Sequence, residues 1–181
     1  MAKLIPFYML IISLLLLGSS AAYAKPRPKV TRLHFFLQDT YSGPNASVYP
    51  VAQSAITSNS STSFGLVCVV DDPLTVDPNP SSEMVGRAQG TVAYADLNEE
   101  AIHVSLTFVF TGGEYNGSSL TMVGRNALSN VFRRMPIVGG TGAFELAQGV
   151  ATTRTYSTQP EMDRSTAEFN ITIAQMYRLF D

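Results

Sequence analysis

The 181-residue sequence has one cysteine, two histidines and only 14% charged side chains. Each scarcity excludes a class of protein. A single Cys builds neither an intrachain disulfide framework nor a multi-cysteine zinc site, and two distant histidines do not make an all-histidine metal set, so no metal is expected. The 12 basic and 14 acidic side chains are scattered and leave a net charge of −2, without the basic stripe of a nucleic-acid partner. Catalytic signatures are missing too. There is no Gly-x-Ser-x-Gly elbow for a serine hydrolase. The glycine-rich run Val138–Phe144 lacks the Gly-Lys-Ser/Thr ending of a phosphate loop and reads as a hairpin turn. Cys68 sits in the apolar run Gly65–Val70 and reads as a small buried hydrophobe. His34 and His103 fall within strand patterns, where packing or surface roles suffice. No redox cofactor site is discernible, so no cofactor is expected and any oxidation step would fall to another protein.

One long apolar run is present, Ile5–Leu17, preceded by Lys3 and followed by small residues ending in Ala22-Tyr23-Ala24. It is short for a bilayer core of about 30 Å and has the layout of a secretory signal peptide. The expected organisation is a signal peptide over 1–24 and one domain over 25–181, secreted and without a membrane span after cleavage. Entry into that pathway gives meaning to four Asn-x-Ser/Thr triplets, at Asn45, Asn59, Asn116 and Asn170, as N-glycosylation acceptors.

The remaining chain alternates apolar and polar residues with period two, and no stretch holds a helical period, so it reads as all-β. Expected strands are Val30–Asp39, Val51–Thr57, Phe64–Val70, Arg87–Tyr94, Ile102–Thr111, Ser118–Gly124, Asn130–Val138, Phe144–Thr155 and Thr166–Tyr177. The segment Asp71–Pro80, dense in Asp and Pro, reads as an exposed loop. Short strands joined by glycine turns suit an antiparallel meander, and closure into a barrel removes its free edges. A barrel of about eight strands either fills with side chains or holds one small ligand.

Two features favour a cavity. Asp39 falls on the apolar face of its strand with Leu33, Phe35 and Leu37, and in Val131-Phe132-Arg133-Arg134-Met135 the two arginines must point to opposite faces. One arginine is therefore inward. An isolated charge in a dry core costs several kcal/mol, so inward Asp and Arg imply either an ion pair or a polar pocket.

Four segments together resemble the dirigent protein family of plants. They are Val70-Asp71-Asp72-Pro73-Leu74-Thr75, Val85-Gly86-Arg87-Ala88-Gln89-Gly90, Phe108-Val109-Phe110-Thr111 with Tyr115-Asn116-Gly117-Ser118, and Met135-Pro136-Ile137-Val138-Gly139-Gly140-Thr141-Gly142. The resemblance implies an eight-stranded antiparallel β-barrel, allene oxide cyclase-like, with a central cavity. It also implies secretion to the apoplast and a homo-oligomer, a trimer or a dimer. The implied activity has no oxidative power of its own: phenoxy radicals from a laccase or peroxidase, or the quinone methides they form, are held so that coupling or cyclisation gives one stereoisomer. The function the resemblance implies first is stereoselective coupling of monolignol-type phenols such as coniferyl alcohol in lignan biosynthesis. The alternative is a lyase or cyclase acting through a quinone methide, as pterocarpan synthases do.

Carried over by position, the resemblance makes Asp39 the acid, although Gln38 precedes it where the family has His. Arg133 becomes the inward arginine that orients an oxygen, and Arg134 stands where Glu is usual. Tyr94 becomes a ring contact, while Val92 replaces a second Tyr of the pinoresinol-forming members. Asn126 takes the place of their acidic residue, as a substrate-binding position that cannot donate the same proton. The chain thus resembles the dirigent-like set outside the pinoresinol-forming group.

Overall fold

The computed structural model describes residues 28–175; the expected signal peptide and the end of the last expected strand lie outside them. Nine strands follow in chain order: β1 Lys29–Thr40, β2 Val48–Ala52, β3 Val67–Thr75, β4 Met84–Tyr94, β5 Ala101–Phe110, β6 Ser119–Ala127, β7 Arg133–Thr141, β8 Ala147–Gln159 and β9 Arg164–Gln175. All pairings are antiparallel, in the order β1-β9-β8-β7-β6-β5-β4-β3-β2, and β1 also pairs with β3. That extra pairing closes an eight-stranded barrel of β1 and β3–β9, with β2 laid along β3 as a ninth strand outside the ring.

Alternation puts one face of each strand inside. On β5, Val104, Leu106, Phe108 and Phe110 are buried between more exposed neighbours, as the period-two pattern requires. The β4–β5 hairpin pairs from Gly86↔Phe110 to Tyr94↔Ile102. Aromatic rings fill one half of the interior. Phe35 stacks on Phe169 at 5.7 Å and meets Phe108 edge-on at 5.2 Å, and beyond them Phe110, Tyr115 and Phe144 pack together at the far end. Each buried ring contributes about 2 kcal/mol through removal from water.

Three sequence expectations change. The second strand is Val48–Ala52, and Thr57 begins a short turn of 3-10 helix through Asn59. The segment from Asp71 is not an exposed loop up to Thr75, because β3 continues through it and buries Asp72, Leu74 and Thr75. Pro73 is tolerated there for a local reason. The Asp71 N–H donates to Ser47 O at 2.9 Å, and backbone N–H groups alternate sides, so the Pro73 nitrogen faces the same side as that of Asp71. On that side β2 has already ended, and β1 begins to pair only at Leu74. The donor that proline lacks is one the ladder would not use.

The third change is at Gly139–Gly142. Gly139 and Gly140 belong to β7, paired with Thr121 and Leu120, and the reversal comes later through Gly142–Phe144. A Cβ at Gly140 would lie 2.5 Å from Ser119 O and 2.8 Å from Phe144 Cβ, so glycine there lets the Phe144 plug approach the sheet.

Candidate functional site

The other half of the barrel is open. A cavity of about 430 Å³ is walled by apolar side chains, among them Leu37, Val70, Val92, Ile102, Val104, Leu106, Met122 and Met135, and floored by Phe169. Polar side chains enter it in two groups, and every candidate named from the sequence, Asp39, Tyr94, Asn126 and Arg133, lines it.

The first group is acidic. Asp39, near the end of β1, accepts a hydrogen bond from Ser165 Oγ at 2.7 Å. Facing it across the β1–β3 closure is Asp72, which is 0% exposed and accepts from Ser47 Oγ at Oδ1. Asp72 Oδ2 has no hydroxyl or N–H donor of its own, and the two carboxyls lie close enough to share a hydrogen bond. Two buried carboxylates cannot both stay charged at that range. A proton on Asp72 directed at Asp39 satisfies the orphan oxygen and removes the repulsion. Burial pushes the Asp72 carboxyl up to about 9, with the charge of Asp39 adding to the rise. Burial likewise raises Asp39, against the hydrogen bond from Ser165. The pair holds one proton near neutral pH and can give it to a bound oxygen. Asp72 went unnoticed in the sequence because Pro73 masked the strand, although the parity run Cys68-Val70-Asp72-Leu74 places it inward.

The second group can hold an oxygen. Arg133 is inward and 6% exposed, Arg134 is exposed, and burial lowers the Arg133 guanidinium below its ordinary range. Its Nη1 donates to Thr155 Oγ1 at 3.0 Å, but Nε has no acceptor. Thr153 Oγ1, directly across the ladder, and Asn126 Oδ1 are also without partners among the described residues. Among the described residues Arg133 forms no ion pair with Asp39, so of the two arrangements the parity argument left open, the structure shows the polar pocket. Tyr94 offers its ring to the wall, and burial raises its phenol.

Of the other residues singled out in the sequence, Cys68 alone among Cys68, His34, His103 and the four Asn positions lines the cavity. Asn45, Asn59, Asn116 and Asn170 are all exposed, which is what a glycan requires. Cys68 is buried in the cavity wall and burial raises its thiol, a setting for packing. His34 pairs with Glu168 at 2.9 Å on the outer surface, and His103 is exposed.

A family model for dirigent-like proteins matches residues 30–174, nearly the whole barrel. The chain belongs to the dirigent family. Dirigent protein 21 of Arabidopsis thaliana is 42% identical over 154 residues, 84% of this chain and 82% of that one. Pterocarpan synthase 1 of Glycine max is 39% identical over 142 residues, 78% and 76% of the two chains. A solved structure of a pterocarpan synthase dirigent protein is 36% identical and superposes with a TM-score of 0.76, covering 88% of this chain and 92% of that one. This dirigent-family barrel therefore shares its fold with a structurally characterised pterocarpan synthase.

Proposed function

We propose that this dirigent-family barrel binds a flat phenolic quinone methide, protonates its carbonyl oxygen from the Asp39–Asp72 pair, and exposes one face of the methide carbon to ring closure. The observation that carries this reading is the buried carboxyl pair Asp39–Asp72, close enough to share a hydrogen bond, on the wall of a largely apolar lumen. Steering the coupling of two radicals needs shape but no acid, whereas a quinone methide becomes more electrophilic at carbon once its oxygen is protonated. The step balances without a redox partner: the proton that Asp72 directs at Asp39 passes through Asp39 to the oxygen, a hydroxyl attacks the methide carbon, and that hydroxyl releases its proton to water at the cavity mouth. The product is an isomer of the intermediate. Arg133, with Asn126 and Thr153, holds a second oxygen of the ligand, and Tyr94 packs on a ring. A difference of about 1.4 kcal/mol between the two faces already gives tenfold selectivity.

The pterocarpan synthase relatives favour a cyclase of this kind. The stereoselective coupling of monolignol-type radicals supplied by a laccase or peroxidase is the second reading, favoured by the relatives named simply as dirigent proteins. The proposal also includes secretion through the expected signal peptide, glycosylation at the four exposed Asn positions, and a homo-oligomer, for which Tyr49 and Val69, paired and exposed, supply an outer apolar surface.

The test incubates the purified protein with phenols that carry a benzylic hydroxyl, which give the quinone methide by loss of water, with and without laccase, and resolves products by chiral chromatography. An excess of one enantiomer without oxidant, lowered about a hundredfold or more in rate by Asp39→Asn, is the expected result. Selectivity that appears only with laccase and survives Asp39→Asn replaces this reading with radical coupling.

A further inference from the structure

The loop after β1 carries Tyr41 to the edge of the cavity, where it is 49% exposed. Two bonds pin it to the β8–β9 turn: Tyr41 N–H donates to Asp163 O at 2.8 Å, and Ser42 Oγ donates to Asp163 Oδ2 at 2.5 Å. Asp163 itself holds a left-handed backbone, φ 50°. The phenol oxygen is thereby fixed 2.9 Å from Ser165 Oγ, which lies 2.7 Å from Asp39 Oδ2. A serine hydroxyl has one proton to donate and lone pairs to accept with. With the Ser165 proton on Asp39, the lone pairs of Ser165 are free to accept from Tyr41. The three groups make a directional chain from a solvent-touched phenol to the buried acid.

The proposed reaction gives that chain a task. A ligand seated against Asp39 excludes water from the lumen, and the attacking hydroxyl releases its proton at a different atom from the one protonated. The acid is then reprotonated from a side the ligand leaves free, either the outer polar cleft that Asp39 and Ser165 also line or the Tyr41 hydroxyl.

We propose that Tyr41 and Ser165 are positioning residues that return a proton from solvent to Asp39 while the lumen is occupied. The inference rests on the acid role of the Asp39–Asp72 pair. As Asp39 gives up its proton, the Ser165 hydroxyl proton moves to Asp39, the Tyr41 proton moves to Ser165, and water at the mouth reprotonates Tyr41. No heavy-atom bond changes and no electrons are exchanged. The ionisable groups around Asp39 are Asp72 of β3, Tyr94 of β4, Arg133 of β7 and Tyr41. Arg87 acts on Asp72, and Arg87 and Arg164 line the outer polar cleft that shares Asp39 as a wall. Among these, Tyr41 is the group that reaches Asp39 through Ser165 as well as directly.

The test is infrared spectroscopy of the full folded protein, its lumen saturated with propylguaiacol, a phenol unable to form the methide in place. The carbonyl stretch of the protonated carboxyl pair is followed after rapid transfer from water to deuterium oxide, with Asp39→Asn used to assign the band. The expected result is exchange slowed on the order of a hundredfold in Tyr41→Phe and Ser165→Ala. Ser165→Thr, which keeps the hydroxyl, should exchange at the native rate, and all variants should exchange rapidly without propylguaiacol. Equal rates in every liganded variant overturn the relay and leave the acid assignment standing. Absence of a protonated-carboxyl band in the native protein at neutral pH overturns both.

Discussion

Asp72 shows how one side chain can set both stability and chemistry. Folded, it holds its proton up to about pH 9, whereas aspartates of an unfolded chain release theirs near about pH 3.9. Between those values the native state binds the extra proton, so unfolding free energy falls as pH rises, by at most about 1.4 kcal/mol per pH unit. Asp72→Asn keeps the shape and supplies an N–H toward Asp39. Chemical denaturation at several pH values should show the native protein losing stability from mildly acid to alkaline conditions, with the variant nearly flat and the more stable at high pH. Arg133 poses the complementary case, a buried guanidinium with an unpaired Nε and no carboxylate partner among the described residues. Arg133→Met should raise the thermal midpoint, by about 1 kcal/mol or more in stability, while removing enantiomeric selectivity; unchanged selectivity in chiral chromatography would show that Arg133 holds no ligand oxygen. Parity alone placed Arg133 inward from the sequence. It could not reveal that the guanidinium lacks an ion pair, because that depends on which residues the closed barrel brings opposite.

At the scale of strands, most of the architecture follows from alternation, and two of the three departures share one cause. Proline and glycine read as punctuation in segments where the sheet uses them. Pro73 stands where no ladder donor is called for, and Gly140 where a plug must approach. Neither condition is visible without knowing which strands end beside them. Gly90 on β4, inside the expected strand Arg87–Tyr94, is likewise required by close approach, with φ at +152° and a prospective Cβ only 2.0 Å from Ser105 O on β5. That contact is with backbone, which cannot swing aside. Gly90→Ala should therefore destabilise the barrel by about 2–4 kcal/mol, read as a lowered urea midpoint with an unchanged slope. A loss below about 0.5 kcal/mol would mean that the two strands separate more easily than their full-length pairing implies.

For the molecule as a whole, closure and catalysis meet at one seam. β1 pairs with β9 along its entire length, Lys29 to Thr40, but touches β3 only at Phe36↔Thr75 and Leu37↔Leu74. Gln38 reinforces this short join from its buried side: Nε2 donates to Thr75 Oγ1 at 2.9 Å and to Pro78 O at 3.3 Å, and Oε1 accepts from Thr166 Oγ1 at 2.9 Å. Asp39 and Asp72 sit on the two strands so joined, so the fastening that shuts the barrel also presses the carboxyls together. Gln38→Ala should cost about 1–3 kcal/mol by leaving buried hydroxyls short of partners, and hydrogen exchange should accelerate first at Leu37, Leu74 and Thr75. Because Asp39 would press less firmly on Asp72, the alkaline loss of stability should also become shallower than in the native protein. Exchange that speeds up evenly around the barrel, with the pH slope intact, would show that the carboxyl pair is held by its own strands and owes nothing to the seam.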